Sequence, residues 1–114
     1  MLGACAGSPS LESPTRTEEG VGSYYAHKFE GRLTASGEVY HENELTAAHR
    51  TLPFGTLVRV TNTANGSNVL VRVNDRGPWA EGRIIDVSYR AAEELGFVKE
   101  GLARLRVEVV GASP

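Results

Sequence analysis

Two segments of alternating β-branched residues flank an Asn-Gly pair in the middle of the chain. The first, TLVRVTN, covers residues 56–62, the second, NVLVRVND, covers 68–75, and Asn65-Gly66 lies between them. An Asn-Gly pair readily adopts the positive φ angles of a tight turn, and alternating segments on both sides of it are typical of an antiparallel hairpin. The rest of the chain must therefore complete a β-sheet around this hairpin.

Three further segments show the same alternation. They are VGSYYA at residues 21–26, RIIDVS at 83–88 and ARLRVEVV at 103–110. Short strands leave many exposed edges, and closure into a barrel removes those edges. The pattern therefore predicts a mainly β fold, in the form of a small closed barrel of about ninety residues.

Two helical segments are predicted beside the strands. SYRAAEELGF has Ser88 as a plausible N-cap, an apolar face at helical spacing, and Gly96 as the C-terminal stop. ENELTAAHR, residues 42–50, predicts a second, shorter helical turn. The expected barrel thus carries one or two short helices.

The remaining segments indicate where the folded domain begins and ends. A chain of 114 residues is large enough for one core and not for two. The segment AGSPSLESPTRTEE, residues 6–19, is rich in Ser, Pro, Thr and Glu and offers little to bury. We therefore expect a tether over residues 1–19, one domain over 20–110 and a tail over 111–114.

The single cysteine, Cys5, excludes an internal disulfide and any multi-cysteine zinc site. It ends the stretch MLGAC, which is typical of the cleavage site of a bacterial lipoprotein signal peptide, although the charged and apolar regions that normally precede that site are missing. We interpret the stretch as a truncated signal with Cys5 as the lipidation site. This predicts an exported lipoprotein of the bacterial cell envelope, with acyl chains as its only contact with a membrane. The alternative is an accidental cysteine in a disordered tail.

Charge and motif content exclude several classes of function. The net charge of −2 provides no basic field, so a nucleic-acid partner is not expected and a neutral or mixed-charge polymer is favoured. His41 and His49 lack the spacing of helical metal ligands, so no metal site and no cofactor are predicted. The sequence has neither a G-x-S-x-G motif nor a phosphate-binding loop, which disfavours acyl and phosphoryl transfer.

Carboxylate chemistry remains, centred on RVNDRGPWAEGRIIDVS at residues 72–88. Asp75 ends an apolar strand, where partial burial would favour its protonated form, and Asp86 follows an Ile pair. Cleavage of a glycosidic bond needs a protonated acid at the bridging oxygen. One carboxyl group serves as acid and then as base if the sugar's own hydroxyl is the nucleophile. Turn formation at Asp75 and a structural role for Asp86 explain the same residues, so the residues alone leave both readings open.

The ordered motifs LTAAHRTLPFGT, NDRGP and GRIIDVS resemble the rare lipoprotein A (RlpA) family, over about residues 20–110. The resemblance implies a six-stranded double-psi β-barrel, related to expansins, barwin and a membrane-bound lytic transglycosylase. It also implies a lytic transglycosylase of the bacterial envelope that cleaves peptidoglycan glycan strands. Strands without stem peptides would be preferred, and the products would have 1,6-anhydro-muramyl ends.

The resemblance assigns roles to individual residues. It implies that Asp75 is the catalytic acid, with Glu38 and His49 as further active-site groups, whereas Asp86 falls where expansin-like relatives keep an essential aspartate. We favour Asp75 as acid and then base, Asp86 as the group that tunes or shares its proton, and Glu38 and His49 as positioning groups. The expected residues of the substrate groove are Tyr24, Tyr25, Arg50, Arg76 and Trp79.

Two alternatives to the enzyme remain. His41 stands where many members of the family have an acidic or amide residue, and the family includes members without detectable cleavage. The main alternative is therefore a non-catalytic, expansin-like module that binds peptidoglycan or loosens the wall. A more remote one is an envelope scaffold for a division or secretion partner. In each case the chain is expected to be a monomer.

Overall fold

Six β-strands form a closed barrel in the computed structural model, which describes residues 16–112. Cys5 and most of the predicted tether lie outside the described residues. A short 3-10 helix lies at His27–Phe29 and one α-helix, α1, at Tyr89–Leu95. The strands are β1 Thr17–Tyr24, β2 Thr46–Ala48, β3 Thr56–Asn62, β4 Asn68–Asp75, β5 Arg83–Val87 and β6 Ala103–Ala112.

The order of strands around the barrel is β1-β5-β2-β4-β3-β6, and β6 closes back onto β1. The pairs β1/β5 and β2/β4 are parallel, and the other four pairs are antiparallel. A parallel pair cannot be joined by a hairpin, so the chain crosses over between its two strands. These crossovers bring segments that are distant in sequence to the same end of the barrel.

The predicted hairpin is confirmed. β3 and β4 pair antiparallel up to Thr61 opposite Asn68, and Gly66 has a φ of +79° in the turn. Asn62 at the end of β3 is buried, and its side-chain amide donates to the carbonyl of Leu95 at 2.9 Å. This bond fastens the hairpin to the end of α1.

The predicted helix α1 is also confirmed, with both of its end signals. The Ser88 hydroxyl accepts from the backbone N–H of Ala91 at 3.2 Å, and Gly96 ends the helix with a φ of +77°. Ala91, Ala92 and Leu95 are fully buried against the barrel. The helix therefore covers the core with the face that its periodicity predicted.

The second helical turn predicted over 42–50 is wrong, because Thr46–Ala48 forms strand β2. All three residues are buried and pair with β4 on one side and β5 on the other. Helix propensity is a weak preference in so short a segment, and hydrogen bonding to two neighbouring strands outweighs it.

Strand β1 begins at Thr17, three residues before the boundary predicted at residue 20. Its first residues pair with β6, from Thr17 opposite Glu108 to Gly22 opposite Ala103. Gly22 lies where the walls of the barrel approach closely, since a Cβ there would meet Leu105 Cδ1 at 2.5 Å. The partner strand β6 therefore orders residues whose composition predicted a tether.

No helix among residues 16–112 is long and apolar enough to cross a membrane.

Candidate active site

An open cleft of about 530 Å³, here called the main cleft, lies where β4 ends and β5 passes. Its aromatic walls are Tyr24, Tyr25, Phe29 and Trp79. Small-molecule sites in proteins usually have volumes of about 300–1,000 Å³ with a few converging polar groups. The charged residues that line the main cleft are Asp75, Arg76, Arg83 and Asp86.

Strand β2 brings the two predicted aspartates into this one cleft. Ala48 on β2 is the register partner of Asp75 on β4 and of Asp86 on β5, and it also lines the cleft. Neighbouring strands lie about 4.8 Å apart, so the backbones of the two aspartates are separated by roughly 10 Å. The small side chain of Ala48 forms the floor between them.

The Asp75 carboxylate is held by three uncharged donors. The Tyr25 hydroxyl donates to Oδ2 at 2.6 Å, and the backbone N–H groups of Ala35 and Arg76 donate to Oδ1 at 2.8 and 2.9 Å. None of the ion pairs within residues 16–112 includes Asp75. Its orientation is thus set by hydrogen bonds from uncharged donors and not by an ion pair.

Arg76 is directed away from the carboxylate that precedes it. Its guanidinium donates to the carbonyl of His49 at 3.2 Å and lies 4.0 Å from the ring centroid of Phe54. Successive side chains of an extended chain point to opposite faces, which explains why Arg76 does not pair with Asp75.

Tyr25 is a rigid hydrogen-bond donor to Asp75. Burial raises its pKa well above the usual value of 10.0, and the hydrogen bond to Asp75 and the charges of Asp75 and Asp86 raise it further. Its ring stacks on Tyr40 at 4.3 Å and meets Phe29 edge to face at 5.9 Å. The phenol therefore keeps its proton and its position at neutral pH.

Asp86 differs from Asp75 because it pairs with a cation. Its Oδ1 accepts from the Ser23 hydroxyl at 2.6 Å and from Arg83 Nη2 at 3.1 Å. A nearby positive charge favours the ionised form of a carboxyl group. Of the two carboxylates in the cleft, Asp86 is therefore the one that forms an ion pair.

Glu38 does not line the main cleft. Its carboxylate accepts from Arg72 Nη1 at 2.6 Å and from Asn74 Nδ2 at 3.1 Å, and these two bonds, that of Arg72 first, lower the pKa of Glu38. The Glu38 carbonyl also accepts from the Thr34 hydroxyl at 2.7 Å. Glu38 thereby fixes the loop 34–38, whose Ala35 N–H reaches Asp75.

His49 is buried, with 3% of its surface exposed, although its residue type suggested a surface position. Its Nδ1 accepts from the backbone N–H groups of Thr51 and Leu52 at 3.1 and 3.2 Å. The ring proton is therefore on Nε2, which donates to Glu18 at 2.6 Å. The backbone N–H of His49 donates to the carbonyl of Asp75 at 3.1 Å, so His49 contacts Asp75 through the main chain.

The predicted groove residues separate into two groups. Trp79 lies at the rim of the cleft with 72% of its surface exposed, and Tyr24 lines the cleft while its hydroxyl donates to the Val98 carbonyl at 2.8 Å. Arg50 does not line the cleft. It donates to the carbonyls of Pro78 and Ala80 at 2.6 and 2.9 Å and so supports the loop that carries Trp79.

A family model described as lytic transglycolase matches residues 17–107. The chain belongs to the lytic transglycolase family. It is 54% identical over 94 residues to an endolytic peptidoglycan transglycosylase RlpA of Vibrio cholerae. The matched region is 82% of this chain and 36% of that protein. It is 54% identical over 103 residues to the protein of that name from Neisseria meningitidis serogroup A, with coverages of 90% and 43%. The resemblance to the RlpA family is confirmed, and the chain spans less than half the length of these relatives.

Solved structures confirm the double-psi β-barrel predicted for this lytic transglycolase domain. The Streptomyces papain inhibitor superposes with a TM-score of 0.67 at 22% identity, covering 85% of this chain and 97% of that one. An expansin of Clavibacter michiganensis superposes with a TM-score of 0.64 at 22% identity, with coverages of 83% and 50%. At these identities the likeness concerns the fold alone.

Sequence reasoning missed three contributors to the lytic transglycolase site. Arg83 lies three residues before Asp86, a spacing that predicts opposite faces in a regular strand. Phe29 lines the cleft from the 3-10 helix, and Ser23 donates to Asp86 from the neighbouring strand β1. No local pattern marks these residues. Residues 16–112 contain no group of three or more His, Cys, Asp or Glu side chains arranged to hold a metal ion.

Proposed function

We propose that the domain is a lytic transglycosylase that cleaves the glycan strands of peptidoglycan, with Asp75 as acid and then base. The names and 54% identities of the curated relatives support this reaction and substrate. The observation that carries the assignment of the acid is the asymmetry of the two carboxylates beside Ala48. Asp86 pairs with Arg83, whereas Asp75 has uncharged donors.

In the proposed reaction the protonated Asp75 gives its proton to the bridging oxygen as the bond from that oxygen to the anomeric carbon of muramic acid breaks. The C6 hydroxyl of the same ring attacks the anomeric carbon and returns its proton to Asp75. The product is a 1,6-anhydro-muramyl end, and no water is consumed. The hydroxyl of Tyr25 and the N–H of Ala35 stabilise the carboxylate that exists between the two proton transfers.

Asp86 has a separate role in this scheme. Its carboxylate, paired with Arg83, stabilises the positive charge that develops on the sugar as the glycosidic bond breaks. Glu38 and His49 are positioning residues, because neither lines the cleft and each holds a segment that bonds to Asp75.

We also propose that the protein works in the bacterial envelope as a lipoprotein anchored on Cys5. The MLGAC stretch and the wall polymer proposed as substrate support this location. Mass spectrometry of the protein from envelope fractions should show an acylated N-terminal cysteine. An unmodified Cys5 inside an intact N-terminal peptide would contradict it.

The decisive experiment treats sacculi with an amidase to remove stem peptides, adds the purified chain and identifies the released fragments by mass spectrometry. We expect 1,6-anhydro-muramyl ends with the native chain. In Asp75→Asn the rate should fall roughly 10²–10⁴-fold, while thermal unfolding shows an intact fold. Reducing ends would instead indicate a hydrolase.

The alternative is a module that binds glycan without cleaving it. Trp79, exposed at the rim, offers a flat apolar face that stacks on a sugar ring whether or not cleavage follows. An expansin mutant of similar fold has been solved in complex with cellohexaose. Binding of strands by the native chain without any anhydro product would support this second function.

A further inference from the structure

A second, smaller cavity adjoins the main cleft at the proposed acid. This small lobe has a volume of about 150 Å³ and shares Tyr25, Phe29 and Asp75 with the main cleft. It is half or less of the size of a typical ligand site, which is about 300 Å³ or more. The residues that line only the small lobe are Arg32, Leu33, Thr34 and Tyr40.

Arg32 brings an uncompensated positive charge to this lobe. Its guanidinium lies 5.4 Å from the ring centroid of Phe29, and within residues 16–112 no carboxylate forms an ion pair with it. Its backbone is held on both sides, since its N–H donates to the Phe29 carbonyl at 2.9 Å and its carbonyl accepts from Tyr40 at 2.7 Å. The backbone that carries the guanidinium is therefore fixed at the edge of the lobe.

The other two guanidinium groups at the cleft are already engaged. Arg83 pairs with Asp86 at 3.1 Å, and Arg76 donates to the carbonyl of His49 at 3.2 Å while it covers the ring of Phe54. Arg32 is the one cation among the residues that line the small lobe, so an anionic group of the substrate bound there would find its partner in Arg32.

The muramic acid ring of the proposed substrate carries a carboxylate of its own only after the peptide has been removed. Muramic acid bears a lactyl ether on C3, whose carboxyl group is a free carboxylate in a bare strand and an amide when the stem peptide is attached. The ring whose C6 hydroxyl attacks must lie beside Asp75, so its lactyl group lies within one ring of the small lobe. A lobe of about 150 Å³ has room for this three-carbon group but not for a whole stem peptide.

We propose that Arg32 binds the free lactyl carboxylate of muramic acid in the small lobe and so selects strands without stem peptides. The inference rests on the proposed transglycosylase function and adds to it the group that distinguishes the substrate. A guanidinium binds a carboxylate by charge-assisted and often bidentate hydrogen bonds, whereas an amide lacks the charge.

The test uses two matched substrates, bare glycan strands and the same strands with the lactyl carboxylate converted to a methylamide. The conversion removes the charge and adds little volume. Binding is measured with the Asp75→Asn chain, which does not consume the strands, and cleavage is measured with the native acid. Both the binding and the cleavage measurements are repeated after Arg32→Gln, and again after Lys28→Gln, is added to the same chain. Lys28 is the control, because its ammonium lies 5.5 Å from the centroid of the same Phe29 ring but it lines neither cavity.

We expect the Asp75→Asn chain to bind carboxylate strands about tenfold more tightly than methylamide strands. Arg32→Gln should abolish this difference by weakening carboxylate binding alone, and Lys28→Gln should preserve it. Equal binding of the two substrates, or a difference that survives Arg32→Gln, would overturn the inference. Cleavage without discrimination would remove only the role of Arg32, whereas discrimination in binding without any cleavage would remove only the proposed reaction.

Discussion

The phenolic hydroxyl of Tyr25 donates to Oδ2 of Asp75 at 2.6 Å, across 50 residues of the chain. Tyr25 follows directly after β1, where its backbone N–H donates to the Val87 carbonyl at 3.1 Å, and Asp75 is the last residue of β4. The bond therefore depends on closure of the barrel, and it fixes the orientation of the carboxyl group of the proposed acid.

Tyr25→Phe should lower kcat and leave KM nearly unchanged, because the variant keeps the aromatic wall and loses only the donor to Asp75. A hydrogen bond to a charged group contributes about 1.5–3 kcal/mol, so the expected decrease is about 10- to 100-fold. Steady-state kinetics on amidase-treated strands measure it. Tyr89→Phe is the control, since the Tyr89 hydroxyl has no hydrogen-bond partner among residues 16–112. An unchanged kcat in Tyr25→Phe would show that the phenol does not assist the acid.

Asp86→Asn should reduce cleavage less than Asp75→Asn does. The variant retains the proposed acid but leaves Arg83 without its anion beside the positive charge that develops on the sugar. The double variant Asp86→Asn with Arg83→Gln should therefore recover part of the lost rate. The measurement is the initial rate at which each variant releases fragments with anhydro ends. Loss of all activity in Asp86→Asn together with residual activity in Asp75→Asn would identify Asp86 as the acid.

Glu38→Gln should destabilise the domain slightly and in a pH-dependent manner. The pair with Arg72 is exposed to solvent, which screens it, so the expected loss is about 0.5 kcal/mol in the free energy of unfolding. Because the pKa of Glu38 is lowered from 4.5, its contribution is complete above pH 4.5 and disappears as the pH falls through the lowered value. Urea unfolding of both chains at several pH values measures this. A difference between them that grows in acid would contradict the assigned direction.

His49→Asn should be less destabilising than His49→Gln. The Asn Oδ1 occupies the place of Nδ1 and can still accept from the N–H groups of Thr51 and Leu52, whereas Gln retains only a donor toward Glu18. A buried donor left without an acceptor, here the N–H of Leu52, costs about 1–3 kcal/mol, so His49→Gln should lose about 2 kcal/mol and His49→Asn about 1 kcal/mol. Denaturant unfolding gives both values. The reverse order would place the ring proton on Nδ1.

The exposed pair of His41 with Glu30 should stabilise the domain mainly between pH 4.5 and 6.5. The hydrogen bond to Glu30 raises the pKa of His41 above 6.5, so this contribution is lost as the pH rises through the raised value. The backbone N–H of Glu42 and then His41 lower the pKa of Glu30 below 4.5, so the contribution is also lost as the pH falls through the lowered value. The Tm of the native chain should exceed that of His41→Gln most within this window. A difference in Tm that does not change with pH would contradict the pairing.

Local patterns of the sequence determined most parts of the barrel. The hairpin around Asn65-Gly66 and helix α1 between Ser88 and Gly96 were predictable, since the signals for each lie within a few residues of one another. The motif around Asp75 also indicated the proposed acid and the family. The hairpin and the helix depend on backbone preferences and on periodicity, which act over short distances along the chain, whereas the acid and the family were implied by the resemblance of the motifs.

Only the tertiary structure decided which side chains share the cleft. Thr46–Ala48 is too short for a strand signal, and its extended form comes from hydrogen bonding to β4 and β5. That pairing sets Ala48 between Asp75 and Asp86, and it buries His49 directly after the strand. The crossover of the chain likewise brings Arg32 beside the acid. Such contacts form when the barrel closes, and their energies come from residues that are far apart in the sequence.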